Sequence, residues 1–401
     1  MGLPSRKPLH ARHRHDAPRA DDPRQAAGQC GPRRTRRATR LIVAALLMVA
    51  QAAIAAAPSR AETLRIATWN IGLERSGPGL LLQDIDRGTD PAIAAALTVL
   101  LHLDADILVL TGMDHDPALH ALRALARRLA DRGLSYPHLH APRPNSGQPT
   151  GLDLDGDSIT HGPADAQGWG RFPGAGGSAV LSRLPLLTDG ATDHSAFLWR
   201  DLPGHLMPPG DPAHAAIQRL PSHSHLQLPV ALPDGRHLTL LIWHATPPVF
   251  DGPEDRNGRR NHDEAAFWLR LLDGSLPTPP PAPPFVLIGD ANLDPADGDG
   301  RPAALMALLT HPLLRDAAPR GSHGRSEPAH QGDPALDTVL YPRLGGLRLD
   351  YILPSRNLAL RGAGVLWPPP EDPLAPVLAA ASRHYPVWVD LSLQPSAEAP
   401  P

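Results

Sequence analysis

Six polar residues of this 401-residue chain stand at or beside the ends of apolar segments that we predict to be β-strands. They are two asparagines, two aspartates and two histidines: Asn70, His244, Asp290, Asn292, Asp350 and His384. A single polar residue at the end of a strand is most often part of a turn. Because loops at the ends of a rigid sheet hold side chains in fixed positions, six such residues together form a candidate active site.

These residue types suit the attack of water on phosphorus with the help of a metal ion. Carboxylate and amide oxygens are the ligands that a hard cation such as Mg²⁺ prefers. A bound cation polarises phosphoryl oxygens and stabilises the leaving oxygen. An aspartate paired with a histidine can take a proton from water, and a second histidine and an asparagine can bind the charge that develops. The pattern therefore indicates metal-dependent phosphoester hydrolysis.

The segments between these residues alternate between predicted strands and predicted helices. The predicted strands cover residues 64–69, 107–110, 178–181, 226–232, 237–243, 285–288, 347–353 and 387–393. The predicted helices cover residues 91–103, 117–132, 262–272 and 302–309. No shift of composition divides these elements, so we predict one large α/β domain over residues 62–395, followed by a tail at residues 396–401.

The N-terminal segment differs from the rest of the chain. Residues 1–40 are rich in His, Pro and Arg, which predicts a basic disordered extension. The following apolar run, residues 41–57, is preceded by arginines and ends in small residues, which predicts a cleaved signal peptide over residues 41–61. A membrane anchor is the alternative, but it would need about 20 apolar residues. We therefore expect an exported protein, periplasmic or extracellular, with no stable membrane span after cleavage.

Removal of the signal segment changes the charge of the protein. The whole chain has a net charge of −3, whereas residues 62–401 carry 26 basic and 38 acidic residues, a net of −12. An acidic surface disfavours tight non-specific binding to nucleic acid, which needs cations against phosphates. The single cysteine, Cys30, excludes a disulfide scaffold and a cysteine-based zinc site. We expect the mature protein to be a monomer.

Short motifs of the chain resemble those of the endonuclease/exonuclease/phosphatase superfamily, the fold of pancreatic-type deoxyribonucleases, exonuclease III-like repair enzymes and inositol phosphate phosphatases. In the order of that superfamily they are Thr68-Trp69-Asn70, Gly177-Ser178-Ala179-Val180-Leu181-Ser182-Arg183, Gly289-Asp290-Ala291-Asn292, Leu349-Asp350-Tyr351-Ile352 and Ser382-Arg383-His384. Residues 151–157, 246–264 and 294–299 are similar to a bacterial exported subgroup. The resemblance implies an α/β (α+β) fold: a four-layer α/β/β/α sandwich of two mixed β-sheets with outer helices.

The resemblance also implies a role for each candidate residue. His384 would be the catalytic histidine, oriented by Asp350. Asp290 would activate the attacking water, while His244 and Asn292 would bind the phosphate. Asn70 would contact a divalent cation, for which Mg²⁺ is the first candidate and Mn²⁺ or Ca²⁺ are the alternatives. The substrate would be a phosphoester, either nucleic acid or a small phosphate ester.

One departure from the superfamily pattern concerns the metal. The superfamily places a metal-binding glutamate just after its second strand, and Gly112 occupies that position here. Asp114, two residues further, lies on the same face if the strand continues, and is the first candidate to replace the glutamate. Asp116 is the second candidate. The loss of a carboxylate predicts weak metal binding.

Arginines are the candidate substrate-binding residues. Arg383 stands where the superfamily usually has an aspartate, and its charge would repel a metal but can hold phosphate. Arg256, Arg259 and Arg260 can form an anion pocket, or else Arg259 and Arg260 are exposed residues before a helix. Two functions therefore stay open: an exported metal-dependent hydrolase of phosphoesters (a nuclease or phosphatase), or a non-catalytic relative that acts as a binding module.

Two further patterns lead to structural expectations only. Asp153, Asp155 and Asp157 alternate as at the start of an EF-hand, but the loop lacks the later glycine and glutamate, so it is a calcium site of another kind or an acidic turn. His223 and His225 alternate, which predicts a strand with both side chains on its exposed face.

Overall fold

The computed structural model describes residues 63–393. The predicted basic extension, the signal peptide over residues 41–61 and the tail at residues 396–401 lie outside the described residues. Among the described residues, no helix has the length and apolar character that a membrane crossing requires.

Thirteen strands lie within the described part of the chain. They are β1 (Thr63–Leu73), β2 (Ile107–Met113), β3 (His138–His140), β4 (Gly177–Ser182), β5 (Thr192–Asp193), β6 (His225–Ala231), β7 (His237–His244), β8 (Phe285–Asp290), β9 (Val339–Tyr341), β10 (Gly345–Leu347), β11 (Asp350–Pro354), β12 (Leu360–Val365) and β13 (Val387–Ser392).

Seven α-helices connect or flank these strands over residues 63–393. They are α1 (Leu80–Arg87), α2 (Pro91–Leu103), α3 (His120–Ala130), α4 (Pro212–Ile217), α5 (Arg256–Leu272), α6 (Ala303–Leu309) and α7 (Ala375–Ala381). Short 3₁₀ helices cover Pro163–Asp165, Thr188–Gly190, Trp199–Asp201 and Pro334–Leu336.

The strands form two large mixed sheets and a small ribbon. The first sheet has the order β12-β13-β1-β2-β4-β3, with β1 and β2 parallel and the other pairs antiparallel. The second sheet has the order β11-β8-β7-β6-β5, with only β7 and β8 parallel. The ribbon pairs β9 with β10.

The two large sheets pack face to face between outer helices. Inward side chains of both sheets, such as Ile66 and Ile288, belong to one buried apolar cluster, which also includes residues of α2, α3 and α7. The other face of the second sheet packs on α5 and α6, where Trp243 and Leu287 contact the cluster around Trp268. This arrangement confirms the predicted four-layer sandwich of two mixed sheets with outer helices.

Local sequence explains where α2 begins and ends. The Asp90 side chain accepts a hydrogen bond from the Ile93 backbone N–H, and Pro91 occupies the first turn, where a missing N–H costs nothing. Asp104 ends the helix in a left-handed conformation. The helix predicted over residues 91–103 is therefore confirmed at both ends.

Helix α5 begins six residues before its predicted start, because its first turns are polar and yet buried. Arg260 donates to the main-chain oxygens of Leu220 and Gln167, and Asn261 donates to those of Thr246 and Ala291. These hydrogen bonds satisfy the buried polar groups. Because the prediction relied on the spacing of apolar residues, it missed helical turns whose buried residues are polar.

Two other predictions about local structure are wrong. Residues 347–353 form the end of β10 and the start of β11, because Thr338 Oγ1 accepts from the N–H groups of Leu349 and Asp350 and interrupts the pairing. His225 is fully buried against Phe267 and Trp268, so it does not lie on an exposed face.

Candidate active site

The second sheet places three of the candidate residues side by side. Asp290 is the last residue of β8, and it pairs with His244 on one neighbouring strand and with Asp350 on the other. Because directly paired residues of adjacent strands point to the same face of a sheet, the three side chains converge. The side chain of Asn70, from the opposite sheet, reaches this row and donates Nδ2 to Asp290 Oδ2 at 2.9 Å.

His384 is fixed on this row from the other side. Its Nδ1 lies 2.8 Å from Asp350 Oδ2, which also accepts from the Thr338 hydroxyl at 2.8 Å. The main-chain oxygen of His384 accepts from Trp69 Nε1 at 2.8 Å. With Nδ1 committed to Asp350, Nε2 is the ring nitrogen that can exchange a proton or a hydrogen bond with a ligand in the cleft.

Burial and neighbouring charges shift the pKa values of His384 and Asp290 upwards. Burial alone lowers the pKa of His384, but the adjacent carboxylates of Asp350 and Asp290 outweigh it, so the net pKa is raised. Burial, and then the Asp350 carboxylate, raise the pKa of Asp290 well above its usual range. An aspartate with a raised pKa is a stronger base than an exposed one, and an imidazole with a raised pKa holds its proton longer.

His244 contributes a neutral ring. Its Nε2 lies 3.6 Å from Asp290 Oδ2 and its ring stacks on that of His223, with the centroids 3.8 Å apart. Burial, followed by the nearby His223 and His384, holds the pKa of His244 well below its usual range. Burial also lowers the pKa of His223 to about 4. Alternation in the sequence did not identify His223 as a residue of the cleft, because its position, just before β6, depends on stacking against His244 at the end of β7.

Asn292 is held beside Asp290 by its unusual backbone. It has φ 50°, in the left-handed region that asparagine tolerates better than most residues. Its N–H donates to Asp290 Oδ1 at 2.8 Å and its Nδ2 donates to the main-chain oxygen of Ala245 at 2.9 Å. The turn thereby fixes Asp290 and presents the Asn292 amide at the cleft.

The arrangement fits a divalent cation. Ligand atoms of Asp290, Asp350 and His384 lie within 4.8 Å of one another. Oδ1 of Asp350 is fully buried and has no hydrogen-bond partner among the described residues. Two buried carboxylates, one with an unsatisfied oxygen, suit a hard oxygen-seeking ion. Asp290 and Asp350 would hold it, whereas Asn70, the predicted cation contact, turns its Nδ2 towards Asp290 and its amide oxygen towards the Gly72 N–H.

The structure shows why no side chain occupies position 112. Gly112 has φ +66° at a register shift between β1 and β2, and a Cβ there would collide with Oδ1 of Asn70. The bulge thus turns the strand and leaves room for the Asn70 amide. A glutamate at this position would strain the left-handed backbone and displace the Asn70 amide.

The carboxylates of Asp114 and Asp116, the two candidates to replace the missing glutamate, accept hydrogen bonds from main-chain N–H groups. Asp114 accepts from the N–H groups of Arg75 at 2.8 Å and Gly176 at 3.0 Å, one on each carboxylate oxygen. Asp116 accepts from the first N–H groups of α3, at His120 and Ala121. Within residues 63–393, the structure does not bring either carboxylate into the Asp290–Asp350–His384 cluster.

The cost of a side chain at Gly112 can be measured against a second glycine. We expect Gly112→Ala to lower the free energy of unfolding of the metal-free protein. The loss should exceed the roughly 1–2 kcal/mol of left-handed backbone strain, because a collision with Asn70 is added. Gly79→Ala is the control, since Gly79 has φ +78° but open space around it. Urea unfolding of both variants is the measurement. Equal losses would show that position 112 has room for a side chain.

The four candidate arginines differ in their surroundings. Arg260 is buried, and its donors go to main-chain oxygens. Arg259 donates to the main-chain oxygens of Glu254 and Leu206. Arg256 lines the cleft and donates to Gln218 Oε1 at 2.6 Å. Arg383 is exposed next to His384 and lowers the pKa of that histidine. Arg256 and Arg383 thus remain the better placed candidates for an anionic substrate.

The site opens into a cleft of about 980 Å³. Its far wall is apolar and includes Met207, Val249 and the exposed rings of Trp169 and Phe250. Asp155, from the acidic segment 153–157, also lines the cleft, and its carboxylate lies close to those of Asp153 and Asp165.

Comparisons with known proteins agree with this architecture. A profile described as the Endonuclease/Exonuclease/phosphatase family matches residues 67–384. A solved endonuclease/exonuclease/phosphatase from Beutenbergia cavernae DSM 12333 is 19% identical and covers 83% of this chain and 72% of that chain, with a TM-score of 0.50. This likeness supports the fold. No curated protein matches the sequence significantly.

Two other solved structures are also similar to this chain. The human Nocturnin catalytic domain is 16% identical, covers 82% of this chain and 94% of that chain, and has a TM-score of 0.46. Sphingomyelinase C from Streptomyces griseocarneus is 17% identical, covers 82% of this chain and 99% of that chain, and has a TM-score of 0.45.

Proposed function

Because the chain belongs to the endonuclease/exonuclease/phosphatase family, whose members are typically metal-dependent phosphoesterases or nucleases, we propose that it hydrolyses a phosphoester with the help of a divalent cation. The observation that carries the proposal is the row His244, Asp290 and Asp350, with His384 held on Asp350 at 2.8 Å. A binding module would have no need of two buried carboxylates and an oriented histidine, which cost stability.

The residues divide the reaction between them. Asp290 accepts a proton from the attacking water on Oδ2, the oxygen that Asn70 and His244 face. His384 donates its Nε2 proton to the leaving oxygen as the P–O bond to that oxygen breaks, and Asp350 stabilises the imidazolium beforehand. His244 and Asn292 hold the other phosphoryl oxygens through neutral N–H groups. A divalent cation would supply polarisation of the phosphoryl oxygens and charge neutralisation.

The surroundings of the site favour a small phosphate ester over a long nucleic acid. The chain beyond residue 61 has a net charge of −12, whereas nucleic-acid binding depends on a cationic surface. Arg260, inside the cleft wall, is occupied by main-chain oxygens. The cleft is therefore matched to one phosphoester group with an apolar substituent.

A panel of phosphoesters tests the proposal. Bis(p-nitrophenyl) phosphate, p-nitrophenyl phosphate and plasmid DNA are each incubated with Mg²⁺, Mn²⁺ or Ca²⁺, and with EDTA. We expect hydrolysis of a small ester that EDTA abolishes and added Mg²⁺ or Mn²⁺ restores. Preferential cleavage of DNA would reassign the substrate. No hydrolysis under any condition would favour the binding module, for which the absence of a carboxylate at Gly112 is the supporting observation.

We also propose that the protein is exported after removal of residues 41–61. The support is the order of the sequence: arginines, a short apolar run and small residues. N-terminal sequencing of protein recovered from the periplasm or medium should find a start near residues 57–62. A mature chain that begins upstream of Leu41 would contradict this proposal.

A further inference from the structure

Glu74 is a carboxylate of the active-site cleft to which the family resemblance assigns no role. It follows the last residue of β1, four residues after Asn70, and lines the same cavity as Asn70, Asn292 and His384. Among the described residues, the carboxylate of Glu74 accepts no hydrogen bond; its main-chain oxygen accepts one from Arg75 at 3.1 Å. A long acidic side chain at a catalytic cleft without a protein partner is available to a ligand.

The surrounding backbone makes space for this carboxylate. A Cβ on Gly176 would come within 2.5 Å of Glu74 Oε1, so the carboxylate lies where a side chain would otherwise be. Gly176 has φ +62°, which glycine adopts without strain. The Asp114 carboxylate fixes the main chain on either side of Glu74, since it accepts hydrogen bonds from the N–H groups of Arg75 and Gly176.

The register of the first sheet relates Glu74 to the missing glutamate. Strands β1 and β2 are parallel neighbours, with Asn70 opposite Thr111 and Leu73 opposite Met113. Glu74, which directly follows β1, therefore lies at the same end of the sheet as Gly112. A side chain at Gly112 would displace the Asn70 amide and strain a left-handed backbone. The carboxylate would then come from the end of β1 instead of from β2.

Glu74 is an exposed residue of the cleft, whereas Asp290 and Asp350 are fully buried. The Glu74 carboxylate lies outside the cluster of Asp290, Asp350 and His384, so the side chain would have to swing inwards to share an ion with them. Desolvation of its carboxyl group, and then the negative charge of Asp114, raise the pKa of Glu74, whereas Arg171 and His384 lower it. A divalent ion bound between these carboxylates would offset their negative charge.

We propose that Glu74 supplies the metal-binding carboxylate that Gly112 cannot provide. The inference rests on the proposed function, because the metal it concerns is the one that the hydrolytic site would hold. Asp114, the earlier candidate, instead fixes the main chain around Glu74. The flexible side chain of Glu74 has three rotatable bonds with which to reach from Gly176 towards Asn70.

Calorimetric titration of Mn²⁺ into the full-length, chelator-stripped protein tests this assignment. We expect Glu74→Gln to weaken Mn²⁺ binding by about tenfold or more. Glu254→Gln is the matched control, since Glu254 also lines the cleft and the charge change is identical. The Mn²⁺ affinity of Glu254→Gln should stay within about twofold of the wild-type value, as expected for a screened charge that is not a ligand. Thermal unfolding in EDTA checks that both variants are folded.

The outcomes separate this inference from the proposed function. Unchanged Mn²⁺ affinity in Glu74→Gln, or an equal loss in Glu254→Gln, overturns the role of Glu74 even if the wild-type protein hydrolyses esters. Selective loss of Mn²⁺ binding in Glu74→Gln supports it even if no ester is cleaved. Should Glu74→Gln not fold, Glu74→Asp keeps the charge and withdraws it by one methylene, and wild-type affinity in that variant overturns the inference.

Discussion

Replacement of His384 by alanine should lower the turnover of the best phosphoester by about 10³-fold, within the range that a general acid or base contributes. The imidazole has its Nδ1 on Asp350 and its main-chain oxygen on Trp69, so only the ring is lost and the loop keeps its anchor. Mn²⁺ affinity should change little by comparison, whereas the thermal midpoint should fall, because the buried Asp350 carboxylate loses its ring partner. Steady-state kinetics on the purified variant provide the measurement.

A second histidine–aspartate pair serves as the control. His311 Nε2 lies 3.3 Å from Asp273 Oδ1, and neither residue lines the cleft. His311→Ala should leave turnover near that of the wild type. Near-normal turnover in folded His384→Ala would contradict the mechanism.

Replacement of Asp290 by asparagine should abolish most activity and yet stabilise the metal-free fold. Activity falls because the amide cannot accept the proton of the attacking water, with an expected loss of about 10³-fold or more. Stability rises because burial and Asp350 raise the pKa of Asp290, so its ionised form is disfavoured in the folded state. The Asn70 side-chain amide can rotate by about 180°, so that its oxygen accepts a hydrogen bond from the new amide N–H at position 290.

The stabilisation should depend on pH in a defined direction. For a carboxyl group whose folded pKa is raised, the cost of ionisation is absent at pH values below the unfolded pKa and grows as the pH increases through the folded pKa. In EDTA, Asp290→Asn should therefore exceed the wild-type midpoint at pH 8, by about 2–4 °C for each kcal/mol gained. The difference should vanish near pH 4. A destabilised variant at pH 8 would show that hydrogen bonding at Asp290 outweighs the charge repulsion.

Sequence patterns predicted the strands that carry the site better than the loops around it. Residues 64–69 and 237–243 alternate or are continuously apolar because β1 and β7 are buried between layers, and the polar residues that end them are visible against that background. Asp290 and Asp350 were recognisable for the same reason. Their pairing in register, which makes them neighbours, depends on contacts between distant segments.

Residues whose role depends on such distant contacts escaped prediction. Glu74 gains its surroundings from Gly176, about a hundred positions further along the chain. Arg260 was predicted either to help bind an anion or to be exposed, whereas four main-chain oxygens from two separate segments satisfy it in the interior. The Gly112 departure was visible in the sequence, but its cause, the Asn70 amide, was not.

The pairing of β1 with β13 places the two ends of the folded domain at the centre of one sheet. Arg65 is held to Asp390 through two hydrogen bonds of 2.8 Å, and Trp69 to His384. These pairs are separated by 325 and 315 positions, so they close very long loops of the described chain. During synthesis the nascent chain would lack the proposed catalytic imidazole until almost all of this domain has left the ribosome. A chain truncated before His384 would therefore lack the proposed hydrolytic activity.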